Sequence, residues 1–280
     1  MTSNSAAVAA GTGRRRWRPP VFVAVSAALH VGAAVVLAAS PREWAWVIAA
    51  VAANQLLLIA AVLWPRGSLL GRNVVRLPDS AAQRGEISLT FDDGPDPLLT
   101  PRVLDLLDRH QAKASFFCVG ERAAACPELT REIARRGHSV ENHSYRHRHS
   151  FAVLGLSGLR REVGSAQETL AAITGRRPDF FRAPAGFRSP LLDPILAALG
   201  LRYVSWTRRG FDATDSEPGR ILGRLTRGLA AGDVLLLHDS APVALEVLPE
   251  LLKQTEALGL KSVSLAAAFA NQPVVSVSAA

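Results

Sequence analysis

Two uncharged apolar runs open the chain, and short strand-like and longer helix-like patterns alternate through the rest. Residues 21–39 form a 19-residue stretch with no formal charge when His30 is neutral, close to the ~20 residues that cross a bilayer core as helix. Residues 47–64 add 18 uncharged residues, with Asn54 and Gln55 near the middle. Trp44, Trp46 and Trp64 flank this second run as interfacial anchors do, which favours a membrane segment over a buried core helix. The pattern predicts a helical membrane hairpin whose turn is residues 40–46.

Residues 67–85 contain Gly67, Gly71, Pro78 and Asp79 without a steady period and read as a linker. From Glu86 the pattern changes. Residues 86–91 alternate polar and apolar as a strand does, and Thr100 and Pro101 supply a cap and a first-turn proline ahead of Val103, Leu104, Leu106 and Leu107. Further strands are expected over 114–119, 138–142, 180–182, 203–206 and 234–238. Helices are expected over 128–136, 159–173, 191–199, 219–230 and 244–258. Repeated strand and helix units predict an α/β fold, a parallel sheet or barrel with helices outside. The expected division is 1–66 for a basic N-terminus and membrane anchor, 67–85 for a linker, 86–268 for a catalytic domain and 269–280 for a C-terminal tail.

Charge sharpens this picture. The 280 residues carry a net charge of +8, and residues 1–66 account for +5 of it through Arg14, Arg15, Arg16, Arg18, Arg42 and Arg66 against Glu43. A nucleic-acid binder concentrates its basic charge in the folded part, so no nucleic acid is expected as a partner, and arginines beside an apolar run point to a lipid bilayer. Four arginines precede the first run, Arg66, Arg72 and Arg76 follow the second, and the turn holds only Arg42. This distribution favours an inner-membrane, multi-pass protein with both ends, and the catalytic domain, on the cytoplasmic face. A signal peptide cleaved after Ala38 leaves that orientation unchanged, whereas a single crossing puts the domain outside. Two cysteines, Cys118 and Cys126, make neither a disulfide framework nor a paired zinc motif.

The polar residues that carry chemistry follow strands. Asp92 and Asp93 follow the first, His143 the third and Arg182 the fourth, Asp212 lies beyond the strand near Tyr203, and His238 closes the last. In a closed or nearly closed parallel barrel these ends converge on one face. His143 and His147, four residues apart, can reach one ion, and Asp93 completes a set of two histidines and one carboxylate with an open position. The plain alternatives are an Asp-Gly-Pro turn and a solvated basic loop with Arg146, Arg148 and His149. Asp92, beside a metal ligand, suits a general base, and His238 suits an acid that protonates a departing amine. Arg182 is either a surface cation or the partner that holds Asp92 ionised. Asp212 or Asp239 is placed to support His238. His30, His110 and His138 receive no chemical role.

The motifs Thr90-Phe-Asp-Asp-Gly-Pro95, His143-Ser-x-x-His147, Arg182-x-Pro184-x-Gly186, Asp212 and Leu236-x-His238 resemble, in order, those of the polysaccharide deacetylases with a NodB homology domain, carbohydrate esterase family 4. The resemblance spans about residues 86–265. It implies a distorted (β/α) barrel and hydrolysis of an N-acyl, usually N-acetyl, group on an amino sugar with one divalent metal ion, most commonly zinc, with cobalt, nickel or manganese as alternatives. Carried over by position, Asp92 is the base, Asp93, His143 and His147 hold the metal, His238 is the acid, Arg182 positions Asp92, and Asp212 supports His238. The Ala185 N–H helps hold the oxyanion and Leu236 lines the acyl pocket. Two positions depart from the family pattern: Ala185 stands where an aromatic residue is common, and Ala213 follows Asp212 where tryptophan is usual. Phe187, Phe211 and Trp206 are the residues that can fill the space.

The expected activity is therefore metal-dependent removal of an N-acetyl group from an amino sugar in a polysaccharide, peptidoglycan or lipid-linked glycan at the membrane. The alternatives are a deformylase of a lipid-linked aminosugar and a catalytically silent, membrane-tethered glycan-binding protein.

Overall fold

The computed structural model describes residues 17–270, so Arg14, Arg15, Arg16 and the tail beyond residue 270 lie outside the described residues. Helices α1 (Val21–Ala39) and α2 (Trp44–Val62) form a hairpin through one 3-10 turn, Pro41–Glu43. Both are long and apolar enough to cross a bilayer. The second begins three residues before the expected 47. The polar residues in these runs find partners across the pair: Asn54 donates to Ser26 Oγ at 2.8 Å, and Gln55 Nε2 lies 3.1 Å from His30 Nε2. Such contacts lower the cost of amides in an apolar helix pair.

Eight strands make one curled parallel sheet. β1 (Glu86–Asp92), β2 (Ala114–Cys118), β3 (Ser139–Asn142), β4 (Phe180–Phe181), β5 (Arg202–Tyr203), β6 (Arg208–Arg209) and β7 (Val234–His238) follow the order β5-β4-β3-β2-β1-β7-β6, while β8 (Lys261–Ser262) pairs with the start of β1. The sheet is a half-barrel, in keeping with the distorted barrel expected. Its helices are α3 (Asp79–Gln83), α4 (Thr100–Arg109), α5 (Gly120–Ala125), α6 (Pro127–Arg135), α7 (Leu156–Thr174), α8 (Asp193–Leu199), α9 (Pro218–Thr226), α10 (Ala244–Ala257) and α11 (Leu265–Phe269). The strand expected over 203–206 shortens to Arg202–Tyr203, because the chain turns at once toward β6. The helix expected over 219–230 ends at Thr226, and Gly228 adopts a φ of 67° just past that end.

Alternation along β1 sorts the two faces of the sheet. Ile87, Leu89 and Phe91 pack against Val103, Leu104 and Leu107 of α4 and Val247, Leu248 and Leu251 of α10, all fully buried or nearly so. Each such side chain contributes ~1.5–3 kcal/mol relative to exposure. Ser88, Thr90 and Asp92 take the other face, toward the barrel interior.

The segment 67–85, expected as a linker, does not run free. Val74 bridges Val204 beside β5, Arg76 bridges Asp233 ahead of β7, and the Leu77 N–H donates to Gly232 O. Leu77 and Ala81 are buried with Phe117, Phe180, Val204 and Val234. The segment thus runs from one edge of the open sheet to the other.

Candidate active site

Every expected site residue except Leu236 lies at or beyond the carboxyl end of a parallel strand. Asp92 ends β1, His143 follows β3, Arg182 follows β4, and His238 ends β7 in register with Asp92. Leu236 sits two residues below His238, buried on the same strand face. Asp93, Ser144 and His147 adopt φ values of 73°, 62° and 50°. Left-handed backbone at three non-glycine positions is costly and typical of residues held for function. It turns Asp93 away from Asp92 and folds the His143–His147 loop back over the site.

The two carboxylates accordingly have different neighbours. Asp93 Oδ1 lies 3.3 Å from His143 Nε2 and 3.0 Å from His147 Nε2, and one ligand atom from each of the three residues lies within 4.8 Å of the others. His143 Nδ1 faces Arg182 O at 2.9 Å. A carbonyl only accepts, so Nδ1 carries the proton and a neutral His143 aims the Nε2 lone pair at Asp93. Asp93 Oδ1 is buried and lacks a well-aligned hydrogen bond. Lone pairs converging on an unsatisfied carboxylate oxygen fit a divalent cation. Burial works to raise the Asp93 pKa; whenever the two imidazoles carry a second proton, their hydrogen bonds and charge outweigh burial and hold the carboxyl well below its ordinary range, and when neutral they turn lone pairs on it instead.

Asp92 belongs to a different network. Arg182, fully buried, donates from Nη1 to Asp92 Oδ1 at 2.6 Å and to Thr90 Oγ1 at 2.9 Å, and from Nη2 to Ser205 O at 2.8 Å. Its guanidinium also lies 4.1 Å from the Phe117 ring centroid. Arg182 is therefore a buried clamp and not a surface cation. Asp92 Oδ2 is left facing the imidazole cluster, 3.8 Å from His143 Nε2.

On the far side, Asp212 decides the alternative raised by Asp239. Asp212 Oδ1 lies 2.9 Å from His238 Nδ1, and Oδ2 accepts the His238 N–H at 2.7 Å. Asp239 instead accepts from Thr100 Oγ1, and burial pushes its carboxyl up to about 7. For His238 burial opposes charge on the ring, yet the hydrogen bond and charge of Asp212 prevail, so its pKa is raised. His138 shows the reverse: burial, and then Lys113, bring it down to about 4, and its Nδ1 accepts the Ala114 N–H.

Ala185 is exposed at the rim with a φ of 55°. Trp206 takes up space behind it, since a Cβ built on Gly186 would come within 2.6 Å of the indole. Arg209 bridges Trp206 and Phe211, its guanidinium 5.2 and 4.8 Å from their ring centroids. Of the aromatics considered for the space beside Ala185 and Ala213, Trp206 and Phe211 are thus tied into one wall by Arg209. Sequence reasoning missed Phe117, Ser205 and Arg209, and named Thr90 only as the start of the first motif, without a role. Thr90 alone carried a signal, two positions below Asp92 on the same strand face.

A family model described as polysaccharide deacetylase matches residues 79–204. A chitooligosaccharide deacetylase of Azorhizobium caulinodans is 35% identical over 163 residues, covering 57% of this chain and 76% of that protein. A peptidoglycan-N-acetylglucosamine deacetylase of Bacillus cereus is 32% identical over 177 residues, covering 60% and 82%. Among solved structures, a family 4 carbohydrate esterase from Streptomyces lividans in complex with acetate superposes with a TM-score of 0.60 at 32% identity, covering 64% of this chain and 91% of that one.

Proposed function

The chain belongs to the polysaccharide deacetylase family, and we propose that it is a membrane-anchored hydrolase that removes an N-acetyl group from an amino sugar by splitting a linear amide C–N bond. One observation carries the reading: Asp93, His143 and His147 converge between two further side chains, each fixed by its own partner, Asp92 by Arg182 and His238 by Asp212. Glycan binding alone requires no acid and base around such a cluster.

Asp93, His143 and His147 would hold a divalent cation, zinc being the natural choice for this set, which would supply an acidified water and polarise the acyl carbonyl. Asp92 receives the proton of the attacking water on Oδ2, the oxygen that Arg182 leaves free. The Ala185 N–H donates to the carbonyl oxygen as negative charge gathers there. His238, held through Nδ1 by Asp212, gives its Nε2 proton to the amide nitrogen, and the C–N bond breaks to yield acetate and a primary amine. Leu236 lines the pocket for the acyl methyl.

The relatives deacetylate chitooligosaccharides and peptidoglycan N-acetylglucosamine, which supports an N-acetylated glucosamine unit as the reacting sugar. Helices α1 and α2 anchor the enzyme in the cell membrane. Arg18, Arg66, Arg72 and Arg76 flank them while the turn carries Arg42 alone, which supports a cytoplasmic catalytic domain. The test is acetate release from N-acetylglucosamine oligomers by the purified protein, lost on chelation and restored by zinc. Failure of the zinc-loaded protein to release acetate overturns the reading, and faster formate release from an N-formyl analogue replaces acetyl by formyl.

A further inference from the structure

From Pro65 onward seven large apolar side chains are exposed among the described residues, and six of them share one end of the molecule. Leu98 lies on the loop after β1, Val153 and Leu156 follow β3, Leu191 follows β4 and Phe211 follows β6, so all five sit beyond the carboxyl ends of parallel strands, where the site opens. Leu69 joins them because its neighbours Gly71 and Arg72 both offer carbonyls to Arg188, two residues past Gly186. Only Leu258, next to the amino end of β8, lies elsewhere. Exposed apolar residues scattered without purpose would populate both ends of the sheet; gathered at one end, they mark a surface that meets something apolar.

The hairpin arrives at that same end. Pro65 packs beside the catalytic loop, its Cβ 3.2 Å from where a Cβ on Gly186 would lie. Val62, the last residue of α2, and Pro65 are three residues apart, a reach of at most ~10 Å of extended chain, and the headgroup layer beyond a hydrocarbon core is itself ~5–7 Å thick. With α2 across the bilayer, the Pro184–Gly186 loop lies at headgroup depth. The contact is braced: Asn73 donates to Pro65 O and Gly67 O, Ser205 Oγ donates to Asn73 Oδ1, and Arg66 reaches Thr207 O. Exposed Arg66, Arg72 and Arg146 add positive charge around the mouth, suited to phosphate headgroups.

We propose that the catalytic face rests on the lipid surface and that the substrate is an amino sugar carried on a membrane lipid in the same leaflet, not a free or wall-embedded polymer. The proposal depends on the deacetylase reading above. A lipid-carried sugar presents its N-acetyl group at the depth where the site opens, whereas a polymer has to slide between the apolar rim and the bilayer.

The test uses the full-length protein in anionic vesicles, loaded with zinc, and two substrates: N-acetylglucosamine on a membrane lipid in the same vesicles, and a soluble N-acetylglucosamine tetramer. The lipid-carried sugar is expected to react about tenfold faster or more at equal bulk concentration, because both partners share one surface. The double variant Leu98→Ser with Val153→Ser is expected to lose most of that advantage while deacetylating the tetramer as before. Equal rates on the two substrates, a faster tetramer, or a variant that slows both alike overturns the proposal and leaves the deacetylase reading intact. Acetate from neither substrate overturns the deacetylase reading itself.

Discussion

Arg182 Nη1 lies 2.6 Å from Asp92 Oδ1, the arginine fully buried and the Asp92 side chain 6% exposed. The pair comes from β1 and from the end of β4, 90 residues apart in the chain. A buried ion pair of this kind costs desolvation, and here it fixes one Asp92 carboxylate oxygen and leaves the other facing the imidazole cluster.

Removing the proposed proton acceptor while keeping the shape isolates the role of that free oxygen. Asp92→Asn is expected to retain stoichiometric zinc and lose about 10³-fold or more in kcat, with KM little changed. Zinc content and steady-state acetate release read the two effects separately, and an Asn variant with undiminished turnover removes Asp92 as the base.

Arg182→Met leaves Asp92 charged, buried and unpaired. The expected loss is about 3–5 kcal/mol of unfolding free energy, measured by denaturant titration at neutral pH. Arg182→Lys should recover part of the stability but little activity, since an ammonium cannot reach Asp92, Thr90 and Ser205 O from one plane. A Met variant as stable as the parent would show that the clamp is not what holds Asp92 in place.

Much of this arrangement is legible in the sequence. The alternation in 86–91, the apolar run 234–238 and the strand-end positions of Asp92, His143 and His238 point to a parallel sheet with its chemistry on one face. The shortest strands were not legible, because two residues such as Arg208–Arg209 show no period and are fixed only by the neighbours they pair with. Phe117 and Ser205 were missed for a related reason. One presents a ring face and the other a main-chain carbonyl to Arg182, and neither use depends on anything the side-chain pattern displays. The docking of 67–85 also escaped, since Val74 and Arg76 earn their places through single bridges to residues far along the chain.

His238 gives the pH dependence its sign. Burial opposes its charge, Asp212 outweighs burial, and the folded ring holds its proton above the ordinary value of 6.5. With His238 as the proposed acid, activity is expected to be complete below that ordinary value and to be lost as pH rises through the raised one. Asp212→Asn leaves burial in command, so the alkaline limb of kcat/KM should move to lower pH. A pH–rate profile with an unmoved alkaline limb assigns the proton donor to another group.

His143→Ala removes a proposed metal ligand and the Nδ1 contact to Arg182 O together. Zinc affinity should fall about 10–100-fold or more, read by competition with a chromophoric chelator, and activity should return only at high zinc, if at all. Unchanged zinc affinity excludes His143 from the coordination set.

Gly186 adopts a φ of 78°, and a methyl there would meet the Trp206 indole at 2.6 Å and Pro65 at 3.2 Å. Gly186→Ala should cost about 1–3 kcal/mol in stability and lower kcat more than it raises KM, because the loop that shifts carries the Ala185 N–H proposed to hold the reacting carbonyl oxygen. Thermal unfolding and substrate titration together check this, and a variant matching the parent in both shows the loop to be free to move.

Because Val74, Arg76 and Leu77 are stitched to both margins of the half-barrel, trimming the polypeptide has different consequences on either side of Pro65. A cut ahead of Pro65 would remove both apolar helices and leave that seam sewn shut. A cut at Glu86, where the strand pattern begins, would unpick that seam and uncover Phe180 and Val234, so the shortest recognisable enzyme is not the shortest one that can fold.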